Sequence, residues 1–134
     1  MPKQSGAGWT TLSVDDGAAA LQVIKNDVND LDFATPIAQI DVTGVDKSAH
    51  ERIAGLADFS ITLNGTFDPD ANKSHAVLST ITAGLVRSVN LTVGGKSLNN
   101  EVLFSDYQIK RGTDAKLSWS APGALADGTV PTWS

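Results

Sequence analysis

The stretch Phe59-Ser60-Ile61-Thr62-Leu63-Asn64-Gly65-Thr66-Phe67-Asp68-Pro69 decides the fold. Phe59, Ile61, Leu63 and, past Gly65, Phe67 share one parity, while Ser60, Thr62 and Asn64 share the other, which is the alternation of a strand with one buried face. Immediately downstream, Asp68-Pro69-Asp70-Ala71-Asn72 is turn chemistry that also offers a helix N-cap. Val77, Leu78, Ile81 and Leu85 then recur at helical spacing, with Gly84 as terminator, and predict a helix over about 71–83.

Toward the C-terminus, Val89, Leu91 and Val93 alternate with Ser88, Asn90 and Thr92 up to the hairpin-type turn Gly94-Gly95. Residues 102–104, 107–109 and 115–120 read as further strands, with a turn at 111–114. Pro122-Gly123 and Asp127-Gly128 leave a short extended tail carrying Val130 and Trp133. Toward the N-terminus, Ile37 to Thr43 reads as a strand whose Ile37, off the parity of Ile40 and Val42, implies a bulge or a late start. Residues 18–33 mix strand and helix spacing and read as a short strand near 20–24 followed by a helical turn at 25–30. Trp9 to Val14 is a strand closed by Asp15-Asp16-Gly17, and residues 1–8 are a polar, Gly-bearing flexible arm. Residues 44–58 are rich in charge and poor in pattern, a loop of a length that is usually functional. Many short antiparallel strands and one helix define a mainly β fold, an antiparallel β-sandwich with one flanking α-helix, in a single domain over 9–134.

Composition narrows the function. With 134 residues there is room for one core, and 41% hydrophobic against 19% charged residues fits neither a disordered tail nor a chain with a membrane-spanning helix. Fifteen acids against ten bases give a net charge of −5, contrary to the basic patch of a nucleic-acid binder. The absence of cysteine excludes thiolate nucleophiles and Cys-ligated zinc. The opening Met1-Pro2-Lys3-Gln4-Ser5-Gly6 has no apolar stretch behind it, so no secretory signal is expected.

Reactive side chains are few. His50, beside Glu51 and Arg52, is a conceivable general base but reads first as an exposed loop histidine. His75 with Asp68 or Asp70 would make a poor metal site. Asp68, Asp70 and Asn72 imitate half of a calcium loop, yet Lys73 stands where the loop needs Gly and Ser79 where it needs a bidentate Glu. No catalytic, cofactor-binding or metal residue is assigned, and no enzyme is expected. Trp9, Trp119 and Trp133 could build a sugar-stacking platform; the competing reading puts Trp119 in the core and the other two near the termini or against a neighbouring subunit.

The segment Arg52-Ile53-Ala54-Gly55-Leu56-Ala57-Asp58 leading into Phe59 to Pro69, with Ser74-His75-Ala76-Val77-Leu78 after it, resembles the tail tube (major tail) proteins of long-tailed bacteriophages. The strand from Arg87 to Val93 and the run from Tyr107 through Gly112 to Leu117-Ser118-Trp119 are also similar to that family, so the likeness covers roughly residues 9–122. It implies a β-sandwich flanked by a helix, a subunit of six-membered rings, and rings stacked into a hollow tube through which the genome passes. It also implies sheets continued between neighbours, and loops and arms that reach the adjacent ring.

Three features of the sequence fit. Open edge strands become useful when paired in a closed ring. The arm and the 44–58 loop are polar enough to order only on assembly. An acidic lumen would let DNA slide rather than bind. The candidate inter-subunit contacts are Trp9, Asp46, Lys47, His50, Glu51, Arg52, Ile53, Leu56 and Trp133. The partners implied are other copies of the chain, the tail tip or baseplate, the tail terminator and DNA in transit, with no membrane and no cofactor. The expected location is the virion tail after synthesis in the host cytoplasm. The alternatives are the inner tube of a contractile injection device, with the same fold, and a carbohydrate-binding β-sandwich.

Overall fold

The computed structural model describes residues 9–134, the side chains of Thr82 and Ala83 excepted, so the arm expected over 1–8 lies outside the described residues. In chain order the elements are β1 (Trp9–Asp15), β2 (Leu21–Val23), a 3-10 turn (Lys25–Asp27), β3 (Val28–Ala34), β4 (Ile37–Asp41), β5 (Arg52–Ala57) and β6 (Ser60–Thr66). There follow α1 (Ser74–Leu78) with a 3-10 extension (Ser79–Ala83), β7 (Arg87–Val93), β8 (Lys96–Phe104), β9 (Gln108–Arg111) and β10 (Leu117–Leu125).

Eight strands form one antiparallel sheet in the order β2-β1-β7-β8-β10-β6-β3, with β9 also on β10. Strands β8 and β9 share one edge of β10: Phe104 faces Gly123, and Gln108 faces Ser120. The sheet doubles over at β8–β10, and inward side chains of both halves meet in one core. Leu12, Val14, Val89, Leu91 and Leu98 come from one half and Phe59, Ile61, Leu63, Trp119 and Ala121 from the other. Val77, Leu78 and Ile81 of the helical segment join the same core. Burial is worth about 1.5–3 kcal/mol for each large apolar side chain, so this layer drives folding. The antiparallel sandwich with one flanking helix is as the sequence predicts. Gly94 and Gly95, at φ 58° and 80°, make the tight β7–β8 hairpin for which both central residues need positive φ.

Four local readings are corrected. Only Lys25–Asp27 is helical in the 25–30 segment, and Val28–Ala34 is a strand, because Leu31 and Phe33 find Leu63 and Ile61 opposite them on β6. Strand β10 runs through Pro122-Gly123: the Pro122 carbonyl accepts from the Ser105 N–H at 3.0 Å, so its missing N–H falls between the β8 and β9 partners and costs no ladder bond. The helix expected over 71–83 is α-helical only over Ser74–Leu78. Its first N–H is capped not by the Asp68–Asn72 turn but by Asp27, whose Oδ2 accepts from the Ser74 N–H at 3.0 Å across 47 residues of chain. Burial, opposed by that hydrogen bond and reinforced by the nearby Asp68 carboxyl, raises the pKa of Asp27.

Arg87 shares the parity of Val89 and Leu91 and is 1% exposed. Its guanidinium donates to the Asp15 carbonyl at 2.9 Å and to Thr80 Oγ1 at 2.8 Å, with the Val77 carbonyl at 3.5 Å. It thereby ties β1, β7 and the helical segment together.

Candidate assembly interface

The loop read at 44–58 is in fact half of a hairpin, and this is the structure's main correction to the candidate site. Ala34 of β3 faces Ser60 of β6, and Ile37 of β4 faces Ala57 of β5, so the β3–β6 ladder continues as β4–β5 beyond the sandwich. The two outer strands form a separate two-stranded sheet. The register shift between Ile37 and Gln39 is the bulge that the parity of Ile37 implied. Only residues 42–51 connect the strands irregularly.

That connection is organised by Asp41. Its Oδ1 accepts from the Thr43 N–H at 3.0 Å and the Thr43 hydroxyl at 2.5 Å, and its Oδ2 lies 3.2 Å from His50 Nδ1. Thr43 Oγ1 in turn accepts from the Glu51 N–H at 2.8 Å. The Thr43 bonds, and secondarily His50, hold the Asp41 carboxyl below its ordinary pKa. His50 is thus an exposed hydrogen-bonding partner of Asp41.

Ile37, Ile40, Val42, Val45, Ile53 and Leu56 are all exposed on this overhang, Leu56 at 86%. Pairing puts Ile40 beside Ile53, while a Cβ on Gly55 would lie 3.1 Å from that of Ala38, so one face of the overhang is apolar. Asp41 and Arg52 share the other face, with Leu56 on the parity of Arg52. Exposed apolar sets of this density are typical of surfaces that bind something.

The candidate contacts therefore separate into two places. Asp46, Lys47, His50, Glu51, Arg52, Ile53 and Leu56 lie together on the overhang, all exposed. Trp9 and Trp133 lie on the sandwich, their ring centroids 6.3 Å and 5.9 Å from that of Phe33. Trp133 bridges Leu98, and Ser134 and Ser97 exchange backbone hydrogen bonds at 2.9 and 3.0 Å. The sequence reading missed Ile37, Ile40 and Val42 as members of the same surface, and Asp30 and Asp32 on β3. The alternation of Leu31 and Phe33 with Asp30 and Asp32 was the signal for the latter pair.

Trp119 is buried and donates its indole N–H to the Thr66 carbonyl at 3.0 Å, so the three tryptophans form no common platform. His75 packs against Phe67 and Tyr107, with Nδ1 3.2 Å from the Tyr107 hydroxyl. Among the described residues no three His, Cys, Asp or Glu converge as metal ligands.

No protein-family model and no curated protein matches the sequence. Solved structures do. A chain in the virion of a native gene transfer agent particle superposes with a TM-score of 0.77 at 13% identity, covering 98% of this chain and 99% of that one. A chain in the tail of an empty gene transfer agent particle, with C6 symmetry, gives 0.79 at 13% identity over the same shares. The likeness is one of fold and runs from end to end: this chain folds as a chain of a gene transfer agent tail does.

Proposed function

We propose that the chain is a non-enzymatic structural subunit that assembles into six-membered rings stacked as the hollow tail tube of a phage-type virion, the conduit for its DNA. The observation that carries this reading is the overhanging hairpin, whose apolar residues and free strand edges have no partner within the described residues. The fold shared with a C6-symmetric tail supports rings of six. The net charge of −5 supports a wall past which DNA slides. In this role the partners are further copies of the chain and, at the tube ends, the tail tip or baseplate and the terminator, and the location is the virion tail after synthesis in the host cytoplasm.

The test is excision of residues 37–57, with an Asn-Gly turn closing β3 onto β6. The variant should keep the β circular-dichroism spectrum and cooperative melting of the parent and form no rings or tubes in negative-stain electron microscopy. Normal tubes from the folded variant would overturn the reading.

A further inference from the structure

Strand β3 has β6 on one side and, among the described residues, no strand on the other. Along that free side runs a hollow of about 700 Å³, lined by residues 28–33 of β3, by Lys25 and Asn26 of the 3-10 turn before it, the Lys25 ammonium being held by the Thr10 carbonyl at 3.1 Å, and by Trp9 and Leu12 of β1. Both parities of β3 line it, the core-side Leu31 and Phe33 as well as the solvent-side Asp30 and Asp32. A hollow on one face of a sheet would be lined by one parity; lining by both means that it follows the strand's edge, where unpaired backbone groups are presented. The edge holds no proline or lysine; a register shift confined to Val28–Asp30 and the carboxylates of Asp30 and Asp32 are its only protections, and Leu31 to Ala34 pair regularly with β6.

Resting on the tube reading, we propose that this edge receives a strand from a second copy of the chain, and that the strand is β5 of that copy's overhanging hairpin. Strand β5 has its own free edge among the described residues, since β4 occupies only one side. Its six residues come within one of the seven in β3, and it carries Arg52 and no acid, whereas β3 carries Asp30 and Asp32 and no base. Strand β4 bears Asp41 and would meet β3 with like charge. The faces match as well. Ile53, Gly55 and Ala57 would continue the side of Leu31 and Phe33, opposite Trp9 and Leu12, and Arg52 would stand on the side of Asp30 and Asp32. Backbone hydrogen bonds give such strand addition its affinity and alternate side chains its register.

The donor belongs to another copy. Within one chain β5 continues the β6 side of the ribbon, so its own β3 reaches it only across β4. Donor and acceptor are therefore different surfaces, a head-to-tail contact that closes into a ring when the rotation permits.

The chain has no cysteine, so introduced pairs report directly. Asp32→Cys is combined in turn with Arg52→Cys, Ala54→Cys and Leu56→Cys, which scan the register on one face. Facing residues of an antiparallel ladder have Cα atoms about 4.5–5.5 Å apart, within disulfide range. After mild oxidation at assembly concentrations, at least one pair should give a non-reducing gel ladder extending to six copies, while each single variant stops at dimers. Tubes without a ladder from any pair would overturn the strand addition and leave the tube reading standing. A ladder without tubes would support the strand addition and overturn the tube reading, and neither would overturn both. A ladder that appears only after removal of residues 1–8 would mean that the chain's own N-terminus occupies the edge, and would also overturn the proposal.

Discussion

Gly65→Ala tests how the core and the helix cap are joined. A Cβ at position 65 would lie 1.9 Å from the Asp27 carbonyl oxygen and 2.8 Å from Trp119 Cζ2. Restoring ordinary contact at 3.4 Å moves a backbone carbonyl by about 1.5 Å, and that carbonyl belongs to the residue whose carboxylate caps Ser74. Overpacking of this kind costs about 1–3 kcal/mol. Leaving the buried Ser74 N–H without its acceptor adds about 1–3 kcal/mol. A total of about 2–6 kcal/mol lowers Tm by roughly 7–20 °C for a chain of this length, read by calorimetry or thermal circular dichroism. The opposite sign is available. Without the clash, Gly→Ala would restrict the unfolded chain and stabilise by about 0.4–1 kcal/mol. A Tm unchanged or raised would refute the close packing of the 3-10 turn on β6. Gly95→Leu is not the right comparison, because Gly95 is held at positive φ; Gly123→Ala is better, since the atoms nearest its new Cβ belong to side chains, Val102 at 2.6 Å and Phe104 at 3.1 Å, and it should cost less.

Arg87→Ala should cost about 3–5 kcal/mol in urea unfolding, since it opens a cavity and strips donors from the Asp15 carbonyl and Thr80; a loss below about 1 kcal/mol would refute its role as the tie. Asp27 gives a pH test. With its native pKa raised above 3.8, the folded state keeps a proton that the unfolded chain has released, so its contribution to stability is present at low pH and lost as pH rises from about 3.8 through the native value. Asp27→Asn keeps an acceptor for Ser74 and removes the titration, so its urea midpoint relative to the parent should rise between pH 3 and 7, and a constant difference would count against the buried carboxyl.

What was legible in the sequence was whatever a single strand or turn declares by itself. Phe59, Ile61 and Leu63 are all buried and Ser60 exposed, as period two requires. The Gly94-Gly95 hairpin and the bulge at Ile37 follow from local sterics and parity. Strand β3 was not legible, because Val28 and Leu31 also fit a helical spacing until β6 supplies cross-strand partners. The overhang hid for a related reason. Arg52 to Ala57 has exposed residues on both faces, so no burial imprints an alternation, and it is a strand only because β4 lies beside it.

By itself, then, the sequence determined the class of fold and the core face, since both rest on patterns of hydrophobicity that each strand carries alone. Tertiary structure decided what couples distant residues: that Asp27 caps a helix 47 residues away, that Arg87 reaches a carbonyl 72 residues away, and that one long ribbon is half core and half free arm. Those are matters of register and three-dimensional proximity, and no local pattern of residue types encodes them.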